Sequence, residues 1–174
     1  MHSKSPNWLP IYGSRVLIRS LSEEDLHELY ELEIDPWVKH FIRGGVVETS
    51  REAWLARAVK LCSSDHVFCV ASRQTNLLLG RVSVGHYLAT GRSTNREIQI
   101  LLCRNAVGNR LGEEAFQLII EAAKANLGAT RLFVEIHKDH PHSASLAKAF
   151  GFVENVALRT HSAGGDVRIF ALDV

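Results

Sequence analysis

Residues Arg96–Glu114 read REIQILLCRNAVGNRLGEE, and this stretch decides the fold. Strand alternation over 96–104 puts Glu97, Gln99 and Leu101 on one face. The strand runs into a short turn holding Gly108 and Gly112, and the turn opens directly into a helix over 112–127. Phe116, Ile119 and Ala123 lie on one stripe of that helix, and Gly128 stops it. A strand that feeds a helix through such a turn aims several free backbone N–H groups at one point, which suits a bound phosphate. The stretch is not a P-loop, because no Gly-Lys-Ser/Thr follows, and the G-x-G-x-x-G dinucleotide spacing is absent.

Working outward, Arg131–His137 places Leu132, Val134 and Ile136 on one face of a further strand. Strand 96–104, helix 112–127 and strand 131–137 therefore form a βαβ crossover with two parallel strands and right-handed connectivity. Upstream, Ser14–Arg19 alternates as a strand. Ser22 then caps a helix carrying Leu26, Leu29 and Tyr30. Residues 34–48, with Pro36, Gly44 and Gly45, read as loop with room for a short helical turn. A second helix starts near Ser50, and strands at about 66–72 and 77–87 flank a turn at 73–76. Downstream, Pro141 fits a first helical position with His140 at the N-cap, and this short helix ends at Gly151. Two closing strands, about 152–160 and 166–173, surround Gly164-Gly165. The sum is one mixed α/β (α+β) domain over 1–174, core about 14–173, with a largely antiparallel sheet, one parallel pair and flanking helices.

A chain of 174 residues is large enough to bury one proper core. Hydrophobic residues make up 46% and charged residues 22%, with a formal net charge of +1. That balance argues against a general polyanion binder, so no nucleic-acid partner is expected. Cys62, Cys69 and Cys103 are scattered, odd in number and without metal-ligand spacing, as in a cytoplasmic protein with reduced thiols. MHSKSPNWLP has no apolar signal core and no apolar run reaches membrane-spanning length, so neither export nor a membrane partner is expected.

Four segments carry a resemblance. They are RVLIRSLSEEDLHELYEL at 15–32, LLLGRVSVGHY at 77–87, EIQILLC through GEEAF at 97–116, and SASLAKAFGF at 143–152. In this order and at these distances they resemble the GNAT superfamily, the Gcn5-related N-acetyltransferases. Within it they are similar to the branch acting on ribosomal-protein N-termini and small amines. The resemblance implies a splayed parallel strand pair and acetyl-CoA as co-substrate. It implies an amine acceptor, either a small molecule or a protein N-terminus, and it is compatible with a homodimer. The family's phosphate loop, R/Q-x-x-G-x-G/A, falls here on Val107, Gly108, Asn109, Arg110, Leu111 and Gly112. Its last glycine matches, while Val107 and Arg110 depart from it. Leu101, Leu102, Cys103 and Glu113 complete the implied cofactor contacts on this side. The family's Asn-x-x-Ser/Ala element falls on His140 and Ser143, with Ala147 where many members carry Tyr.

For amine attack on a thioester, the amine must be neutral. Deprotonating a lysine-type amine at pH 7 costs roughly 4–5 kcal/mol, and an α-amine only about 1. A general base is therefore worth most for the first kind. Glu97 matches the position of the catalytic Glu of histone-acetylating relatives, with ordered water as the alternative. The resemblance implies an oxyanion donor from the backbone near Leu101 or Leu102, and Ser143 as proton donor to the leaving thiolate. Trp37, Phe41 and Tyr87 are candidates for an apolar acceptor wall, and His40, Arg43, Arg92 and Arg96 for receiving an acidic group. His137, His140 and His142 cluster in sequence but lack supporting Cys or carboxylate ligands beyond Asp139, so no metal is expected. Two other classes compete: an acyl-CoA-binding sensor or scaffold of the same fold without catalysis, and an unrelated α/β interaction domain.

Overall fold

Each strand of the sheet sends alternate side chains to opposite faces, and the helices divide between those faces. The computed structural model describes residues 6–41, 50–161 and 167–174. Arg43, Gly44, Gly45 and the Gly164-Gly165 turn lie outside the described residues. The strands are β1 (Ile11–Tyr12), β2 (Val16–Ser20), β3 (Val67–Ser72), β4 (Leu78–His86), β5 (Asn95–Leu102), β6 (Arg131–His137), β7 (Val153–Glu154) and β8 (Val167–Asp173). They form one eight-stranded sheet in the order β1-β2-β3-β4-β5-β6-β8-β7. Every neighbouring pair is antiparallel except β5 and β6. The helices are α1 (Leu26–Ile34), α2 (Pro36–Phe41), α3 (Arg51–Cys62), α4 (Leu111–Asn126) and α5 (Pro141–Ala149).

On one face Val16, Ile18, Phe68, Val82, Ile98 and Leu132 pack against the stripe of α4 and the alanines of α5. The α4 stripe is Phe116, Ile119, Ile120 and Ala123, spaced as a 3.6-residue period requires. On the other face Leu17, Cys69, Ala71 and Leu78 meet Leu29, Leu32, Val38, Trp54 and Ala58 from α1, α2 and α3. A separate patch of Tyr87, Phe133, Ile169 and Ala171 covers the β6–β8 end.

One element fills in a sequence expectation and one departs from it. The short helical turn that the 34–48 segment had room for is α2. The Asp35 carboxylate accepts from the backbone N–H groups of Trp37 (2.8 Å) and Val38 (3.2 Å), and Pro36 takes a first-turn position. Capping by Asp35 and the proline at the first turn thus start this short helix. The strand expected over 152–160 is reduced to β7, followed by a 3-10 turn over Val156–His161. Asn155 N–H still donates to Ile169 C=O, but the Asn155 carbonyl then takes Leu158 N–H. That turn lets Leu158 pack on the Tyr87–Phe133 patch. The β3–β4 register shifts between Val70 and Ala71, leaving Leu79 as a bulge.

Candidate active site

Parallel pairing of β5 and β6 is confined to Asn95↔Arg131, Arg96↔Leu132 and Glu97↔Phe133. Beyond Glu97 the two strands part, and a cleft of about 330 Å³ opens between Ile98–Leu102 and Val134–His137. Phe116 of α4 and Leu146 and Ala147 of α5 also line it, and Trp37, Val38 and Phe41 of α2 close its other side. Backbone groups along a parted strand edge lack a neighbouring strand and stay open to an extended polar ligand.

One end of the cleft meets the start of α4. Gly108 has φ +86°, and Arg110, the N-cap of α4, has φ +61° and ψ +11°. The backbone therefore makes the turn although arginine stands where glycine would be cheaper, at a cost of order 1–2 kcal/mol. The Arg110 guanidinium donates twice to the Glu113 carboxylate, from Nε (2.9 Å) and Nη2 (3.0 Å). That pairing holds Glu113 below the usual carboxylate range. A helix leaves its first N–H groups without intrahelical partners, and those of Leu111, Gly112 and Glu113 occupy these positions in α4. A Cβ on Gly112 would lie 2.8 Å from Leu102 Cδ1, so the loop and the strand edge approach closely here. An anionic phosphate fits this end on three counts: the glycine backbone, the open amides and the positive end of the helix dipole.

At the apex, Glu97 is half-buried and accepts from Gln99 Nε2 at 3.0 Å, and both line the cleft. Ser143 stands in the first turn of α5 and also lines the cleft. His140 caps α5: its Nδ1 accepts from Ser143 N–H at 3.2 Å, and its ring meets Phe41 edge-on with centroids 4.3 Å apart. Burial, with the nearby charges of His142 and His137, holds His140 below its ordinary value. The unfolded chain therefore binds more protons than the native state between that lowered pKa and about 6.5. Native stability is full above that window and falls as the pH drops through it. His140→Asn, which keeps a capping acceptor, is expected to flatten Tm between pH 7.5 and 5.5. A wild-type Tm independent of pH over that range contradicts this account.

Of the residues expected from sequence, Glu97, Leu101, Leu102, Val107, Gly108, Arg110, Gly112, Glu113, His140, Ser143, Trp37 and Phe41 all line this one cleft. Tyr87 does not: it is 3% exposed and stacks on Phe133 at 4.1 Å between centroids. Cys103 faces the α1–α3 core. Leu111 packs into the α4 core, and Asn109 is exposed, its carbonyl accepting from Arg15 Nη1 at 2.9 Å. Arg92 is exposed, and Arg96 is turned to His86 Nδ1 (2.7 Å) and the Leu127 carbonyl (3.2 Å). His40 is exposed and does not line the cleft, and donor atoms of His40, His137 and Asp139 lie within 4.8 Å of one another. Asp139 N–H already donates to His137 Nδ1 at 3.2 Å. Burial raises all three thiols, Cys69 to about 12, which removes them as nucleophiles at neutral pH.

Sequence reading missed Arg81, which lines the cleft from β4 and donates through Nε to Glu33 Oε1 at 3.0 Å. Glu33 is buried on α1, 48 positions away in sequence. The one available signal was a charged residue inside an apolar strand.

Residues 15–153 match the family model described as the acetyltransferase (GNAT) domain. A GNAT-family acetyltransferase from Bacillus anthracis superposes with a TM-score of 0.80 at 18% identity, covering 95% of this chain and 98% of that one. A GCN5-related N-acetyltransferase from Brucella melitensis gives 0.73 at 21%, covering 97% and 80%. RimL, a ribosomal L7/L12 α-N-protein acetyltransferase in complex with coenzyme A, gives 0.75 at 15%, covering 93% and 96%. No curated protein sequence matches the chain.

Proposed function

Because the chain belongs to the GNAT acetyltransferase family, we propose that it moves an acetyl group from acetyl-CoA to a primary amine by direct attack in a ternary complex. The acceptor is a small molecule or a protein N-terminus. The observation that carries this reading is the parted β5–β6 pair, open to the amides of α4 at one end and to Glu97 at the other. Acetyl-CoA supplies the acyl group as a reactive thioester. The α4 amides and the Gly108–Gly112 backbone hold phosphate. The β5 edge beyond Glu97 aligns the extended arm, and backbone N–H at Leu102, which alternation turns away from β4, donates to the carbonyl oxygen as it gains charge.

Glu97 takes the proton of the incoming amine, directly or through water, and Gln99 steadies its carboxylate. Ser143 returns a proton to the departing thiolate. Ala147 lines the cleft without a hydroxyl, which leaves Ser143 or water for that task. Glu97→Gln is expected to lower turnover on lysine-type amines about 10²-fold or more, the usual worth of a general base. The loss should be smaller on α-amines, with acetyl-CoA affinity nearly unchanged. Turnover equal to wild type from pH 6 to 9 removes Glu97 from the mechanism.

A further inference from the structure

We propose that Arg81 recognises a carboxylate on the acceptor, which makes carboxylate-bearing amines of the amino-acid kind the preferred substrate class. The inference rests on the acetyl-transfer reading of the same cleft and adds the identity of what sits opposite the acyl group. Arg81 leaves β4 on the α1–α3 face, and its register partner on β5 is Leu101. It thus stands beside the segment whose backbone is assigned to the carbonyl oxygen, four positions along from Glu97.

Its side chain is 19% exposed, and Nε is fixed on Glu33 Oε1 at 3.0 Å. The other Glu33 oxygen accepts from Trp54 Nε1 (2.8 Å) and Arg57 Nη2 (3.3 Å). One buried carboxylate is therefore held by three donors and faces two guanidinium groups. Arg57 is 38% exposed, so water screens it. Arg81 is the cation of the pair that lines the cleft. Among the described residues its terminal Nη1 and Nη2 make no hydrogen bond.

A guanidinium with Nε anchored offers its remaining planar N–H groups with little rotational freedom left to lose, and it matches a carboxylate in geometry and charge. The surrounding face is apolar, with Leu101, Cys69 and Trp54. A residue needed only to fasten α1 to the sheet could be apolar there, because a half-buried charge is costly to keep.

The test compares α-amino acids with their matching carboxamides as acceptors, read as kcat/KM for thiol release. Binding of the N-acetyl amino acids and N-acetyl amino-acid amides by ligand-observed NMR gives a readout that needs no turnover. Wild type is expected to favour acids over amides by tenfold or more in both assays. Arg81→Gln should abolish the preference by raising KM for acids while leaving amides within about twofold. Arg81→Lys, which keeps the charge and the stem, should retain part of it. Equal use of acids and amides by wild type, or equal losses on both in a normally folded variant, overturns the proposal and leaves acetyl transfer standing. Absence of thiol release with the binding preference intact overturns the acetyl-transfer reading alone. Absence of both thiol release and binding preference overturns the proposal as well.

Discussion

Gly112→Asp is expected to weaken acetyl-CoA binding about 100-fold while leaving the fold in place. Gly112 occupies the first turn of α4, where an acidic side chain meets the positive end of the helix dipole. That interaction contributes about 0.3–1 kcal/mol, and aspartate is a slightly better helix former than glycine. The new Cβ would meet only the tip of Leu102, at Cδ1, 2.8 Å away, and a flexible side-chain end can move aside. Thermal stability should therefore hold or rise slightly. Bound phosphate would face the new carboxylate at close range. Two like charges about 4 Å apart near a protein surface repel by roughly 4 kcal/mol. Exposure of the loop reduces this, and about 2.7 kcal/mol corresponds to the stated factor. Calorimetric titration beside a thermal melt separates the two effects. Unchanged affinity in a stable variant would remove the α4 N-terminus from the binding site.

Gly80→Ala should be the most damaging single-methyl change in the sheet. A Cβ there would overlap the Leu101 carbonyl oxygen and lie 2.9 Å from Leu102 Cα. These are backbone atoms, so β4 and β5 must separate where Gly80 pairs with Leu102. The adjacent Leu79 bulge already interrupts β3–β4 pairing, which leaves little room to shift the other way. Overpacking of this kind costs about 3 kcal/mol or more. In a chain of this size that is a Tm drop of about 6–12 °C. The displaced segment carries the backbone assigned to the acyl oxygen, so activity at permissive temperature should also fall. Gly85 on the same strand has nothing within 4 Å of a Cβ. Gly85→Ala should accordingly leave Tm nearly unchanged, and equal effects of the two substitutions would contradict this account.

What sequence made legible was local. The alternation of 96–104, the α4 stripe and the strand at 131–137 each follow from a period readable within one element, and together they predict the parallel pair. The family fold follows from their order. What it hid was long-range or irregular. The bulge at Leu79 reverses the alternation of β4, so the face Arg81 takes cannot be counted from Leu78. Glu33, Trp54, Arg57 and Arg81 come from three elements and meet only in the folded chain. Tyr87 sits near the cleft in sequence, yet stacking on Phe133 draws it into the core. The apolar run after Glu154 has no period that separates a strand from a 3-10 turn, and packing of Leu158 decided it. Arg110 shows the converse: a residue unlike glycine adopts the left-handed turn and ties down Glu113.

The central claim is that the parted β5–β6 cleft transfers acetyl groups to amines rather than merely holding acyl-CoA. Release of CoA thiol from acetyl-CoA, followed with and without a mixed panel of α-amines and lysine-type amines, tests it most directly. Release is expected to depend on the amine and to drop sharply in Gly112→Asp. Saturable acetyl-CoA binding with no amine-dependent release would contradict it and assign the chain to the binding-module class.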